Sequence, residues 1–177
     1  MTTTIEVNVM GWNPDWGSDN KPYFTGDFVF QQISPPGKEL MTTDGSLNLE
    51  HLEIDGKVEI IFHLKSPFVA YQNFLYPVFF DADAESNFWV LEDKGKKPKK
   101  TDGPTGTGQF TVTRPDEHTL KVVDANGDHK SYIYCLAMRL GIDVSGDNLP
   151  EWFVADPKIT NRGNDRIIRM AQYQSAD

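Results

Sequence analysis

Between Phe79 and Glu92 the chain reads FFDADAESNFWVLE, and Asp81, Asp83, Glu85, Asn87 and Glu92 take the first, third, fifth, seventh and twelfth places of an EF-hand-like loop. Oxygen donors at that spacing are suited to calcium, which takes roughly six to eight oxygens. The match is partial. The sixth place is Ser86, where the EF-hand turn needs glycine, and the flank YPVFF carries Pro77 and β-forming residues rather than a helix. Alternation at period two has a plainer origin: in a strand, Asp81, Asp83, Glu85 and Asn87 would share one solvated face, although Ala82 and Ala84 are weak strand formers and favour a loop. A structural acidic loop is the expectation, its charge neutralised by lysines such as Lys94 and Lys96 and its ends anchored by Phe79, Phe80, Phe88 and Trp89.

The same carboxylates define one enzymatic alternative. A metal-assisted or carboxylate-based hydrolase using loop 81–87 would need Asp81, Asp83 and Glu85 in a cleft with His63, within hydrogen-bond or one-water reach. No two of His51, His63, His118 and His129 stand at H-x-H, H-x-x-x-H or H-E-x-x-H spacing. Cys135 lies between Tyr134 and Leu136 in an apolar run, where burial keeps a thiol protonated and inert. GPTGTGQ lacks the Gly-Lys-Ser/Thr ending of a P-loop and precedes a strand, and no G-x-S-x-G elbow occurs, so neither a nucleotide cofactor nor a serine nucleophile is expected.

A second candidate lies in EWFVADPKITNRG, Glu151 to Gly163. Pro157 breaks the run and holds Asp156 extended, after which KIT resumes as a closing strand. Trp152 and Phe153 are expected to cover one end of the fold; an aromatic-lined binding site there would use Trp152, Asp156 and Asn161, with His63 as a further binding candidate.

These residues need a scaffold. At 177 residues and 38% hydrophobic, the chain has the size of a single domain. Its formal charge of -9 opposes attachment to nucleic acid or anionic lipid. No apolar run reaches the roughly 20 residues of a membrane span, and MTTTIEVNVMGW has no secretory pattern. Cys135 is the only cysteine, so intrachain disulfides and multi-cysteine zinc sites are excluded, and a cytoplasmic location is expected.

TTIEVNVM alternates as a half-buried strand does, and GWNPDWGSDNKP reads as a long loop carrying Trp12 and Trp16. YFTGDFVFQQI and KVEIIFHL are further strands, separated by the SPPG turn and a segment with room for one or two short strands. QFTVT and TLKVVD flank a turn at Arg114–His118 and form a hairpin; Asn126-Gly127 promises a second one leading into SYIYCLAMRL. Residues 94–108 form a mobile Lys/Gly/Pro-rich loop, and 164–177 a tail that is either frayed or a short helix capped by Asn164 or Asp165. The sum is an all-β, immunoglobulin-like antiparallel β-sandwich with long loops.

Tyr132, Tyr134 and Leu136, in the pattern Y-x-Y-x-L, followed by Asp156-Pro157-x-Ile159-x-Asn161, resemble the uncharacterised bacterial DP-EP family and, more distantly, the AidA/PixA inclusion-body proteins. The resemblance covers residues 109 to 163 and implies a bacterial β-sandwich without established activity. It transfers no catalytic residue, and the nucleotide-synthetase label of some relatives finds no phosphate loop here. The functional expectation is a non-enzymatic binding or interaction module without a cofactor. Its sheet edges would be covered by pairing two copies as a homodimer, and any small-molecule ligand is left unspecified.

Overall fold

A computed structural model of the chain describes residues 2–17, 21–48, 56–128, 130, 132–155, 160–162 and 165–168. The strands are β1 (Thr3–Trp16), β2 (Phe24–Ser34), β3 (Leu47–Asn48), β4 (Val58–Leu64), β5 (Phe68–Tyr71), β6 (Phe74–Phe79), β7 (Phe88–Glu92), β8 (Phe110–Asp116), β9 (Thr119–Asp124), β10 (Tyr132–Leu140), β11 (Glu151–Ala155), β12 (Thr160–Arg162) and β13 (Asp165–Ile168). Ten of them make one open sheet in the order β5-β6-β10-β11-β2-β1-β4-β9-β8, with β7 pairing the first half of β10. A small sheet, β12-β13-β3, pairs separately, and Leu47 of β3 is buried in the main core. The protein is an all-β sandwich.

The long sheet makes two layers by folding over at the β1–β2 hairpin. β1 carries register shifts against β2 at Glu6/Val7 and Trp12/Asp15, with Asn13 at positive φ within the second, and such bulges bend and twist a strand. β4, β9 and β8 then face β7 and β10. Phe62 of β4 lies 6.4 Å from Tyr134 of β10, ring centre to ring centre, and Phe110 of β8 lies 5.6 Å from Phe88 and 5.0 Å from Tyr132. Tyr134 and Phe88 stack at 5.1 Å. Ile5, Val7 and Val9 of β1 point into this core as their alternation requires.

Several local expectations change. Two ladders, β1 with β4 and β11 with β2, are parallel, so the sandwich is mixed rather than purely antiparallel. Trp12 and Trp16 lie on β1, not on a loop; Trp16 and Phe24 pack edge-to-face with ring centres 4.9 Å apart, which offsets the turn-forming residues between them. The β8–β9 hairpin forms, whereas the second hairpin does not. Asn126 takes the expected positive φ, but its amide is spent on the Gly56 carbonyl at 2.8 Å, and the chain crosses from β9 to the other layer. Asp165–Ile168 is a strand rather than a helix start, since its backbone pairs with β3 and β12. Asn164 and residues 169–177 fall outside the described residues.

The wholly buried Tyr134 hydroxyl donates to the Gly45 carbonyl at 2.8 Å, tying β10 to the turn before β3. Tyr134→Phe leaves that carbonyl unpartnered and is expected to cost about 1–2 kcal/mol, or roughly 2–8 °C in melting temperature, read by urea and thermal unfolding. An unchanged midpoint would show that the bond contributes nothing net.

Candidate functional site

The acidic segment is a loop closed on itself. β6 ends at Phe79, a 3-10 turn spans Ala84–Asn87, and β7 begins at Phe88. Asn87, fully buried, organises it: its side-chain oxygen accepts the Asp81 N–H at 2.7 Å, and its amide donates to the carbonyls of Asp81, Asp83 and Ala84. The carboxylates have partners of their own. Asp81 accepts the Asp83 N–H through one oxygen and Arg139 Nε at 2.6 Å through the other; Asp83 accepts the Ser86 hydroxyl at 2.6 Å. Glu85 Oε2 lies 3.4 Å from the Thr105 hydroxyl, and Glu92 pairs with Lys94 and Lys130. Among the described residues no three His, Cys, Asp or Glu side chains gather around one point. Burial pushes the Asp81 carboxyl up, but hydrogen bonds from Arg139 and the Asp83 N–H, with the charges of Arg139 and Lys100, outweigh it and hold the group below its ordinary range.

Arg139 joins this loop to the outer face of the sheet. Its Nη1 donates to the Pro150 carbonyl at 2.7 Å, and its guanidinium stacks 3.7 Å over the Trp152 ring. Trp152 does not close an end of the sandwich. On β11 successive residues face opposite ways, so Phe153 enters the core while Trp152 lies outside the sheet in a second apolar cluster with Trp89, Cys135, Ala137 and Val154. Tyr23 packs on that cluster, Lys100 reaches within 5.4 Å of the Trp152 ring centre, and Pro98 and Pro104 of the lysine-rich loop are buried. Trp152 is 6% exposed, and among the described residues its Nε1 has no acceptor.

The same outer face continues into an apolar surface that is left open among the described residues. β5 and β6 form a hairpin whose two turn residues, Gln72 and Asn73, both take positive φ, as a type I′ turn requires. Its register pairs Phe68 with Pro77 and Ala70 with Leu75, so these four share one side, and all four are exposed. Phe68 is 60% exposed and Leu75 72%; Phe74, at the turn and on the other side, is 66%. Phe79 pairs with Arg139 and faces outward beside it. Gly141 makes this seam possible, since a Cβ there would stand 2.5 Å from Pro77 Cγ.

The other expected site residues are scattered. His63, on the outer side of β4, has Nε2 3.4 Å from Glu6; among the described residues no hydrogen bond or ion pair joins it to loop 81–87. Asn161 lies in β12, its backbone paired with Arg166, while Asp156 falls outside the described residues, as do His51 and His129. Sequence reasoning missed the hairpin because YQNF carries no Gly and its two polar residues, Gln72 and Asn73, are the only break between two apolar runs. One signal was available: from Ser66 to Phe80 there is no Asp, Glu, Lys or Arg.

Compared with protein-family models, curated proteins and solved structures, the chain has no match.

The Asp81–Arg139 pair gives a pH signature. A carboxyl depressed in the folded state contributes stability that is complete above its unfolded value, about 3.9, and is lost as pH falls through the folded value. Wild-type urea stability should therefore fall more steeply below about pH 4 than that of Asp81→Asn; parallel curves would rule the linkage out. Because Arg139 holds the Asp81 oxygen that a cation would take, millimolar calcium should leave the melting temperature unchanged. A site occupied at 100 times its dissociation constant would add about 2.7 kcal/mol, several degrees for this size.

Proposed function

We propose that the protein is a non-enzymatic interaction module and that its contact surface is the outer face of the β5–β6 hairpin. One observation carries this reading: a contiguous set of exposed apolar side chains, Phe68, Ala70, Leu75 and Pro77, lies on a stretch without a single charge in a chain of formal charge -9. Soluble chains rarely leave such a patch open, and edge hairpins are normally protected by charge. The rival hydrolase reading has less support. His63 and the acidic loop have separate partners, Glu6 for one and Arg139 for the other, and no shared cleft is evident from those contacts. The resemblance of Tyr132, Tyr134 and Leu136 to the DP-EP pattern is part of the proposal and adds a bacterial setting without an activity, and the single cysteine, Cys135, favours the cytoplasm.

The test is whether the face is available in the native state. An apolar reporter dye such as bis-ANS should bind the folded protein, and Leu75→Glu and Phe68→Ser should each cut that signal several-fold while leaving the melting temperature within about 2 °C, since both side chains are largely exposed. Equal dye binding by all three proteins would overturn the assignment. Turnover of an ester, phosphate or glycoside that Asp81→Asn abolishes would favour the hydrolase instead.

A further inference from the structure

The hairpin face has a shape and a charge state that fit one partner in particular. Phe68 stands opposite Pro77 and Leu75 opposite Ala70, so the two large side chains lie on a diagonal with Ala70 as a hollow beside each. A two-fold axis lying in the plane of contact, across the strands, carries Phe68 of one copy over Ala70 of the other and Leu75 over Pro77, the self-complementarity that an isologous contact requires. Resting on the reading of the hairpin as a contact surface, we propose that its occupant is a second copy of this chain, the two hairpins meeting outer face to outer face with Phe68 of each over Ala70 of the other.

Charge supports this choice. Two chains of formal charge -9 repel each other, and any contact through a charged face adds the cost of desolvating carboxylates. Ser66 to Phe80 avoids both, because it brings no formal charge into the contact. Area then sets the strength. Phe68 and Leu75, at 60% and 72% exposed, offer on the order of 250 Å² together, against roughly 800 Å² per partner in a stable dimer. The dimer is therefore weak and reversible, half-formed on the order of 100 µM rather than permanent.

Sedimentation velocity on the full chain from about 10 to about 500 µM, at roughly 0.05 and 0.5 M NaCl, tests this. The weight-average mass of the wild type should rise with concentration, and rise further at the higher salt, because salt screens the repulsion between copies. Ala70→Glu and Leu75→Glu, folded by circular dichroism, should each weaken association at least tenfold. The proposal is overturned if the wild type is monomeric throughout, if both variants associate like the wild type, or if high salt dissociates the pair, which would mark the lysine-rich loop on a partner's carboxylates as the contact. A monomeric wild type that cosediments with phosphatidylcholine vesicles, where Leu75→Glu does not, would reassign the face to a lipid surface and also overturn it. Dye binding keeps the two failures apart: a monomer that still binds dye at this face removes the self-partner and leaves the contact surface standing, whereas loss of both removes the surface itself.

Discussion

β10 is covered on both faces, and the rest of the molecule is arranged around that constraint. Tyr132, Tyr134, Leu136 and Met138 point inward, where Tyr134 lies among Phe62, Phe88 and the Gly45 carbonyl. Cys135 and Ala137 point outward beneath Trp89 and Trp152. A strand in one layer of a sandwich ordinarily alternates, with one face wet. Here the near-continuous apolar run of SYIYCLAMRL demands a second cover, which β7, β11, Tyr23 and the loop bearing Pro98 and Lys100 supply. Burying Tyr134 also pushes its phenol far above its ordinary range, so it acts as a neutral donor at any physiological pH.

Arg139 closes the outer cluster and ties it to the acidic loop. A largely buried guanidinium is costly unless its donors are satisfied and its charge is met. Asp81 meets the charge, the Pro150 carbonyl accepts from Nη1, and the Trp152 ring lies against the flat face. Asp81 can serve only because Asn87 fixes the loop backbone around it. The acidic alternation that resembles a metal loop therefore has a structural role in which one member orients the others and another neutralises an arginine. Glu92, the far end of the pattern, is on β7 with lysine partners of its own.

The hairpin next to this seam is covered by nothing among the described residues on its outer side, and the contrast is informative. β10 and β11 have their outer apolar side chains shielded by their own chain; β5 and β6, in the same layer and joined to β10 through Phe79 and Arg139, do not. Exposing Phe68 and Leu75 to water forgoes the free energy of burying two large apolar side chains, about 1.5–3 kcal/mol each. A contact made with another molecule at that face recovers part of it. That is the physical basis for the proposed contact at this face.

The sequence by itself determined the fold class, because period-two alternation in Ile5, Val7 and Val9, or between Phe110 and Val112, is a local consequence of how strands pack. It also indicated the β8–β9 hairpin, although the turn there is Glu117–His118 and Pro115, expected to set the turn, lies within β8 beside a register shift, and it indicated the burial of Cys135. Other features depend on residues far apart in the chain. The parallel pairing of β1 with β4, the crossover after Asn126 and the strand character of Trp12 and Trp16 arise from partners that no local pattern names. Of the candidate site residues, sequence located the acidic loop correctly but could not find Arg139, 58 positions away from Asp81, which decides what that carboxylate does. Trp152 was legible as an aromatic of interest, yet which face of β11 it occupied depended on register, and a shift of one residue reverses every side chain. The exposed hairpin face was invisible for the same reason: an apolar run reads as core until the tertiary structure leaves one side of it without a neighbour.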